Sequence, residues 1–177
     1  MRYEIRLAGE GGQGLILAGI ILAEAAAASE GVFAAQTQSY GPEARGGASR
    51  SEVVISDEEI DYPRVVEADL LLAMSQEALE RFGAELKAGG ILLVDSILVR
   101  DAGGRRAVEM PITRLAEEAA GERVTANMVA LGLIAGLTDT VSLEAIEAAL
   151  CARFSQGTRA ANLTALRAGY AASQDLR

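Results

Sequence analysis

Six residues near the start of the chain, Gly9-Glu10-Gly11-Gly12-Gln13-Gly14, have the types and spacing to hold an anion. Glycines reach positive φ without steric cost, and they let backbone N–H groups approach a bound oxygen with no Cβ in the way. Gly9, Gly11 and Gly14 satisfy G-x-G-x-x-G, the fingerprint of a turn between a strand and a helix whose N-terminus meets a phosphate. As a dinucleotide site the pattern needs an acid about 20 residues on, to bind the ribose hydroxyls. Here the next strand segment, Val32 to Ala35, runs into Gln36 and Thr37, and no acid follows before Glu43. Glu10 also puts a carboxylate in the loop, which repels phosphate unless it points outward. The turn therefore reads as an anion holder rather than an NAD site. The bland alternative is a turn that only packs a helix tightly on a strand.

A second set of polar groups follows in Gln38-Ser39-Tyr40-Gly41-Pro42-Glu43-Ala44-Arg45-Gly46-Gly47, a loop by its turn formers. A guanidinium at Arg45, flanked by glycines, could clamp a phosphate or carboxylate bidentately; as a plain surface residue it would pair with Glu43 or Glu52. Tyr40 could stack on a planar ligand or pack beside Pro42. Asn127, ahead of a helical run, reads by default as an N-cap, with ligand contact as the alternative. Asp95 ends an apolar strand, where open α/β sheets place binding groups, although a cap or turn role is the simpler reading. Cys151 lies in an apolar stripe and reads as a buried small hydrophobe. No catalytic residue can be assigned, for there is no Ser/His/Asp or Cys/His set. No metal-ligand cluster stands out either.

These residues need elements to position them. Ile5, Leu7 and Ala8 lead into the turn as a strand, and Leu15 to Ala28 leaves it as a helix apolar on nearly every face. Gly31 ends that helix, Val32 to Ala35 reads as a short buried strand, and Arg50 to Ser56 as a half-exposed one. Asp69 to Met74 is a buried strand, with Ser75 capping a helix to about Leu86. Gly89-Gly90 punctuates before the strand Ile91 to Val94, and Gly103-Gly104 suits a hairpin turn between Ile97 to Val99 and Ala107 to Met110. The last third is helical: Gly132 and Gly136 share a face suited to close packing, and Ser142 caps Leu143 to Phe154. Alternating strands and helices predict a three-layer α/β fold. Its sheet is largely parallel with helices on both faces, and it opens on a Rossmann-like strand–turn–helix with the first strand central. No linker or repeat divides residues 1–177, so one domain is expected.

Composition narrows the function. Half of the 177 residues are hydrophobic but only 4% are aromatic, so Ala, Leu, Ile and Val must build the core. A formal charge of -9 argues against nucleic acid, whose phosphates need clustered Lys and Arg. One cysteine and no histidine exclude an internal disulfide and an iron–sulfur cluster held by this chain alone. The apolar run Leu15 to Ala28 is too short to span a bilayer, and the chain starts on a strand pattern without a signal segment. No membrane association is expected, and the expected compartment is the cytoplasm.

Taken together, Gly11-Gly12-Gln13-Gly14 after a first strand and Tyr40-Gly41-Pro42-Glu43-Ala44-Arg45-Gly46-Gly47 resemble the gamma subunit of 2-oxoacid:ferredoxin oxidoreductases. Ser51-Glu52-Val53, Ile60-Asp61-Tyr62-Pro63, Ala68-Asp69-Leu70-Leu71, Gly90 to Ser96 and the Asn127 helix extend the likeness over almost the whole chain. The second motif is more similar to the 2-oxoglutarate type than to the pyruvate type. This resemblance implies an assembly that decarboxylates a 2-oxoacid on thiamine diphosphate and passes single electrons through iron–sulfur clusters to ferredoxin. Coenzyme A takes the acyl group. It further implies that thiamine diphosphate and clusters sit on partner subunits, that this chain serves the coenzyme A side, and that it is inactive alone. Isolated, such a chain could pair with itself as a homodimer. By matching position, Gly9, Gly11, Gly12, Gln13, Gly14, Tyr40 and Arg45 are the expected cofactor-binding residues. Two other readings stay open: a stand-alone nucleotide-binding oxidoreductase domain of NAD type, and a non-catalytic structural partner subunit.

Overall fold

Arg2–Glu10 (β1) is buried at six consecutive positions, which requires cover on both faces and a neighbour on each side. The computed structural model describes residues 1–39 and 48–176. In it β1 pairs antiparallel with Ala48–Ser56 (β3) and parallel with Ala68–Ala73 (β4). Phe33–Ser39 (β2) closes one border of the sheet beyond β3, and Leu86–Asp95 (β5) and Val108–Met110 (β6) extend the other. The order is β2-β3-β1-β4-β5-β6, with three of the five pairings parallel. The first strand is central, as expected.

The two faces are covered unequally. Ile5 and Leu7 of β1, with Val53, Leu70, Leu72 and Leu93, meet Leu15–Ala27 (α1), Ile112–Ala120 (α3), Ala126–Leu137 (α4), Leu143–Arg153 (α5) and Gln156–Gln174 (α6). Ala8, Leu71, Ala73, Leu92 and Val94 look the other way, onto Gln76–Phe82 (α2). Arg6 alternates with Ile5 and Leu7 and so falls on this thinner side, where it is almost wholly buried. Its guanidinium bonds Glu52, directly opposite on β3, at 2.9 Å and Glu85 at 2.5 Å, with the Phe82 ring 5.5 Å away. Such a buried charge is tolerated only when paired; here Nε donates to Glu52 and Nη2 to the Val65 carbonyl, while Nη1 meets Glu85 as an ion pair without hydrogen-bond geometry.

Several expectations change. The segment read as a short buried strand is a seven-residue border strand, with Phe33 nearly half exposed. The segment from Arg50 is not half-exposed but buried on both faces, because the polar members of its alternation are neutralised inside: Glu52 by Arg6, and Ser51 by the Gln36 carboxamide at 2.9 Å. Gln38 and Ser39 belong to β2 rather than to a loop. The Gly89-Gly90 pair is not a break before β5 but an irregularity within it, where Ala68 faces Leu86 and Leu70 already faces Ile91. Gly103 and Gly104 do turn with positive φ, yet the strand that follows pairs parallel to β5, so no hairpin forms. Among the described residues no helix is long and apolar enough to cross a membrane.

Candidate functional site

At the C-terminal end of β1 the four glycines of the turn fall into two kinds. A Cβ on Gly9 would lie 2.1 Å from Gln13 Oε1 and 2.8 Å from Leu15 Cδ1. A Cβ on Gly14 would lie 2.5 Å from Asn127 Nδ2, and Gly14 takes φ 70° as the N-cap of α1. These two are filled from below. Gly11 and Gly12 are the opposite case: exposed, with nothing within 4 Å of a Cβ among the described residues, and φ +91° at Gly12. Their amides donate to no group among the described residues. The turn therefore shows a bare, donor-bearing backbone to solvent beside the N-terminus of α1, the arrangement that receives an anion.

Gln13 and Asn127 hold this backbone in place. The Gln13 carboxamide accepts from the Glu10 amide at 2.7 Å and donates to the Met74 carbonyl at 2.8 Å, tying the turn to the end of β4. Asn127 is not the N-cap expected, since Thr125 occupies that place and Asn127 is the second residue of α4. From there its Nδ2 donates 3.0 Å to the carbonyl of Gly14, 113 residues away in the chain. That carbonyl also accepts from the Ala18 amide at 3.0 Å, so Asn127 clamps the first turn of α1. Its Oδ1 is buried without a hydrogen-bond partner among the described residues. No periodicity or motif in the sequence announces this contact; only the fold brings α4 onto the turn.

Two small clefts adjoin the turn. One, about 270 Å³, opens at the C-terminal ends of β1 and β4 and is lined by Gly12, Gln13, Met74, Thr113, Arg123 and Val124. This is where open α/β sheets bind ligands. Arg123, which sequence reasoning passed over, supplies its cation; it pairs with Glu117 at 3.1 Å while both side chains stay largely exposed, so it is free to exchange partners. The other cleft, about 290 Å³, lies between the starts of α1 and α4 and includes Gly14, Leu17, Val124, Asn127 and Phe154. Glu10 is exposed.

Asp95 stands at the rim but acts within the chain. It is fully buried, accepts from the Ile97 amide at 3.0 Å and the Thr113 amide at 3.1 Å, and takes the Thr113 hydroxyl as well. It thus fastens the start of α3 beneath the site. Tyr40 and Arg45 lie outside the described residues. Glu52, a surface partner for Arg45 in the sequence reading, is instead buried and bonded to Arg6. Cys151 is half-buried in α5, away from the turn.

The path of the chain also bears on the NAD alternative. In a dinucleotide-binding βαβ unit the helix after the glycine turn leads to a parallel neighbour of the first strand. Here α1 leads to β2, which pairs only with β3, and the parallel neighbour of β1 is β4.

Known proteins share this fold. The family model for pyruvate ferredoxin/flavodoxin oxidoreductase matches residues 4–172. The 2-oxoglutarate synthase subunit KorC of Methanothermobacter marburgensis is 51% identical over 177 residues, covering 96% of this chain and 95% of its own. The subunit of the same name from Methanocaldococcus jannaschii is 49% identical, covering 99% and 96%. The crystal structure of a keto/oxoacid ferredoxin oxidoreductase gamma subunit from Geobacter sulfurreducens superposes with a TM-score of 0.90 at 45% identity, over 99% of this chain and 98% of that one. A 2-oxoglutarate:ferredoxin oxidoreductase from Magnetococcus marinus, solved with 2-oxoglutarate, coenzyme A and succinyl-CoA bound, matches 99% of this chain and 32% of its own at TM-score 0.84 and 26% identity. The chain belongs to the pyruvate ferredoxin/flavodoxin oxidoreductase family and is a gamma-type subunit of it.

Proposed function

We propose that this chain is the gamma subunit of a 2-oxoglutarate:ferredoxin oxidoreductase and supplies the coenzyme A side of its active region. The reaction converts 2-oxoglutarate and coenzyme A to succinyl-CoA and carbon dioxide, with two electrons leaving one at a time to ferredoxin. Thiamine diphosphate and iron–sulfur clusters belong to partner subunits in this reading, since this chain has one cysteine and no histidine to hold a cluster.

The observation that supports the coenzyme A role is the pair Gly11 and Gly12, whose amides donate to no described group, beside a helix N-terminus at the end of the central strand. A diphosphate fits there: its oxygens would meet backbone N–H groups, with Arg123 at the cleft wall as a cation. Gly9, Gln13 and Gly14 shape the turn, and Tyr40 and Arg45 complete the set on the following segment. The test is coenzyme A titration of the assembled enzyme, wild type against Arg45→Ala. A charge-assisted contact is worth about 1.5–3 kcal/mol, so Arg45→Ala should raise the KM for coenzyme A more than tenfold. A change below about threefold removes Arg45 from the site. Purified alone, the chain should be colourless and reduce no viologen dye with any 2-oxoacid; turnover by the chain alone would refute the subunit reading.

A further inference from the structure

A groove of about 660 Å³ lies away from the glycine turn, toward the start of β5. Its floor is apolar, from Leu86, Ile91, Leu92 and Val108, and its charged members are Lys87, Arg105 and Arg106. No acid lines it, on a chain whose formal charge is -9. Lys87 is bonded to Asp69 at 2.8 Å, but Arg105 and Arg106 form no ion pair among the described residues. Elsewhere Arg2, Arg6, Arg50, Arg123, Arg153 and Arg167 each sit on a carboxylate, while Arg64, Arg81, Arg100, Arg114 and Arg159 are scattered outside this groove without an ion pair among the described residues.

Arg105 is exposed but lies along the chain's own backbone, its Nη1 3.5 Å from the Ala102 carbonyl oxygen. Its guanidinium lies over Gly83, where a Cβ would come within 3.1 Å of Cζ and Nε, and over Gly103, where a Cβ would come within 2.7 Å of Nη1. A planar fork laid along backbone in this way has less freedom to lose on binding a carboxylate than a fully extended one. The floor has a further property. Strand β6 pairs with β5 only from Leu93 to Asp95, so Ile91 and Leu92 have no strand partner on that border. An open strand edge beside a cationic wall matches an extended polypeptide carrying acids, whose main chain can meet the edge while its carboxylates meet the arginines.

We propose that this groove docks an extended acidic segment of a partner subunit. The inference rests on the reading of the chain as a subunit but not on its coenzyme A role. The charges steer the segment in and fix its register, so assembly weakens with salt. The test is assembly of the full chain with its thiamine-binding and iron–sulfur partner subunits, measured by dissociation constant at 50 and 300 mM NaCl. The R105E/R106E double variant should bind at least tenfold more weakly at low salt with an unchanged melting temperature. Gly83→Ala, which displaces the Arg105 fork and leaves the charge alone, should lose about threefold. Arg114→Glu, an exposed arginine of α3 outside the groove, should change assembly less than twofold. If R105E/R106E assembles like wild type, or if Arg114→Glu costs as much, the groove is not the docking site. Inorganic tripolyphosphate binding the wild-type chain, lost in R105E/R106E while assembly stays intact, would make it a small-anion site and also overturn the proposal. Failure of wild type to assemble at all would refute the subunit reading itself.

Discussion

Glycine does opposite work in two regions of this molecule. Where α4 crosses α6, a Cβ on Gly132 would lie 2.0 Å from the Leu166 carbonyl oxygen, and one on Gly169 would lie 2.0 Å from that of Val129. The two helices are in backbone contact, and the absent side chains are what let them touch. At Gly11 and Gly12 there is nothing to touch among the described residues. The same residue type removes a wall in one place and leaves a surface bare in the other. The spacing of glycines in a sequence thus says little until one knows what a Cβ would meet.

The contrast is sharpest under substitution. Gly132→Val should cost at least about 3 kcal/mol, the top of the usual range for overpacking, because backbone atoms on the far side cannot move aside. The gain in helix propensity, under about 1 kcal/mol, does not offset it. Thermal unfolding should show a midpoint roughly 6–12 °C lower. A midpoint within 2 °C of wild type would mean that the helices can part without loss, and the packing half of the comparison would fail.

Gly11→Ala should give the reverse pattern. With open space around the Cβ, stability should change by less than about 0.5 kcal/mol, while the assembled enzyme should lose several-fold in apparent affinity for coenzyme A. Gly12→Val adds strain at positive φ, about 1–3 kcal/mol, so its effect on activity must be read beside its melting curve. If both variants keep wild-type kinetics, the bare backbone binds nothing.

Much of this was legible in the sequence. The strand, turn and helix around Gly9–Gly14 followed from apolar pattern and glycine spacing. The caps at Ser75 and Ser142 are as expected, with the Ala78 and Ala145 amides each donating 3.2 Å to the hydroxyl. The close approach at Gly132 was also foreseen. What could not be read was burial decided across strands. The alternation in β3 looks half-exposed unless one knows that Arg6 lies opposite Glu52. Nor could the clamp from Asn127 be read, because a cap and a long-range contact use the same carboxamide. Removing it tests that clamp. Asn127→Ala should cost about 1–2 kcal/mol, since the Gly14 carbonyl keeps its bond to Ala18 and the unpartnered Oδ1 disappears with the side chain. It should also weaken coenzyme A binding, placing Asn127 between the two classes of glycine: structural in its contact, functional in its effect. A loss of stability with unchanged kinetics would put it with Gly132.

The smallest expected effect comes from the far end of α1. Arg153 at the end of α5 holds Glu24 through two bonds, 2.7 and 2.5 Å, and these bonds keep the Glu24 carboxyl below the ordinary glutamate range, against the opposing effect of desolvation. The pair is largely solvent-exposed, so its worth is about 0.2–1 kcal/mol rather than what a buried pair would give. The sign follows from linkage. A carboxyl with a depressed folded pKa contributes stability above the ordinary glutamate range, and that contribution fades as pH falls through the folded value. Glu24→Gln should therefore lower the melting temperature slightly at neutral pH and not at all in strong acid, where the wild-type carboxyl is protonated in both states. Coenzyme A kinetics should not change, because the turn at the other end of α1 is fixed by Gln13 and Asn127 rather than by the seating of the helix on α5. If Glu24→Gln does alter coenzyme A binding, the bare glycine backbone is not set locally, and its contrast with the packed glycines would need to include the whole of α1.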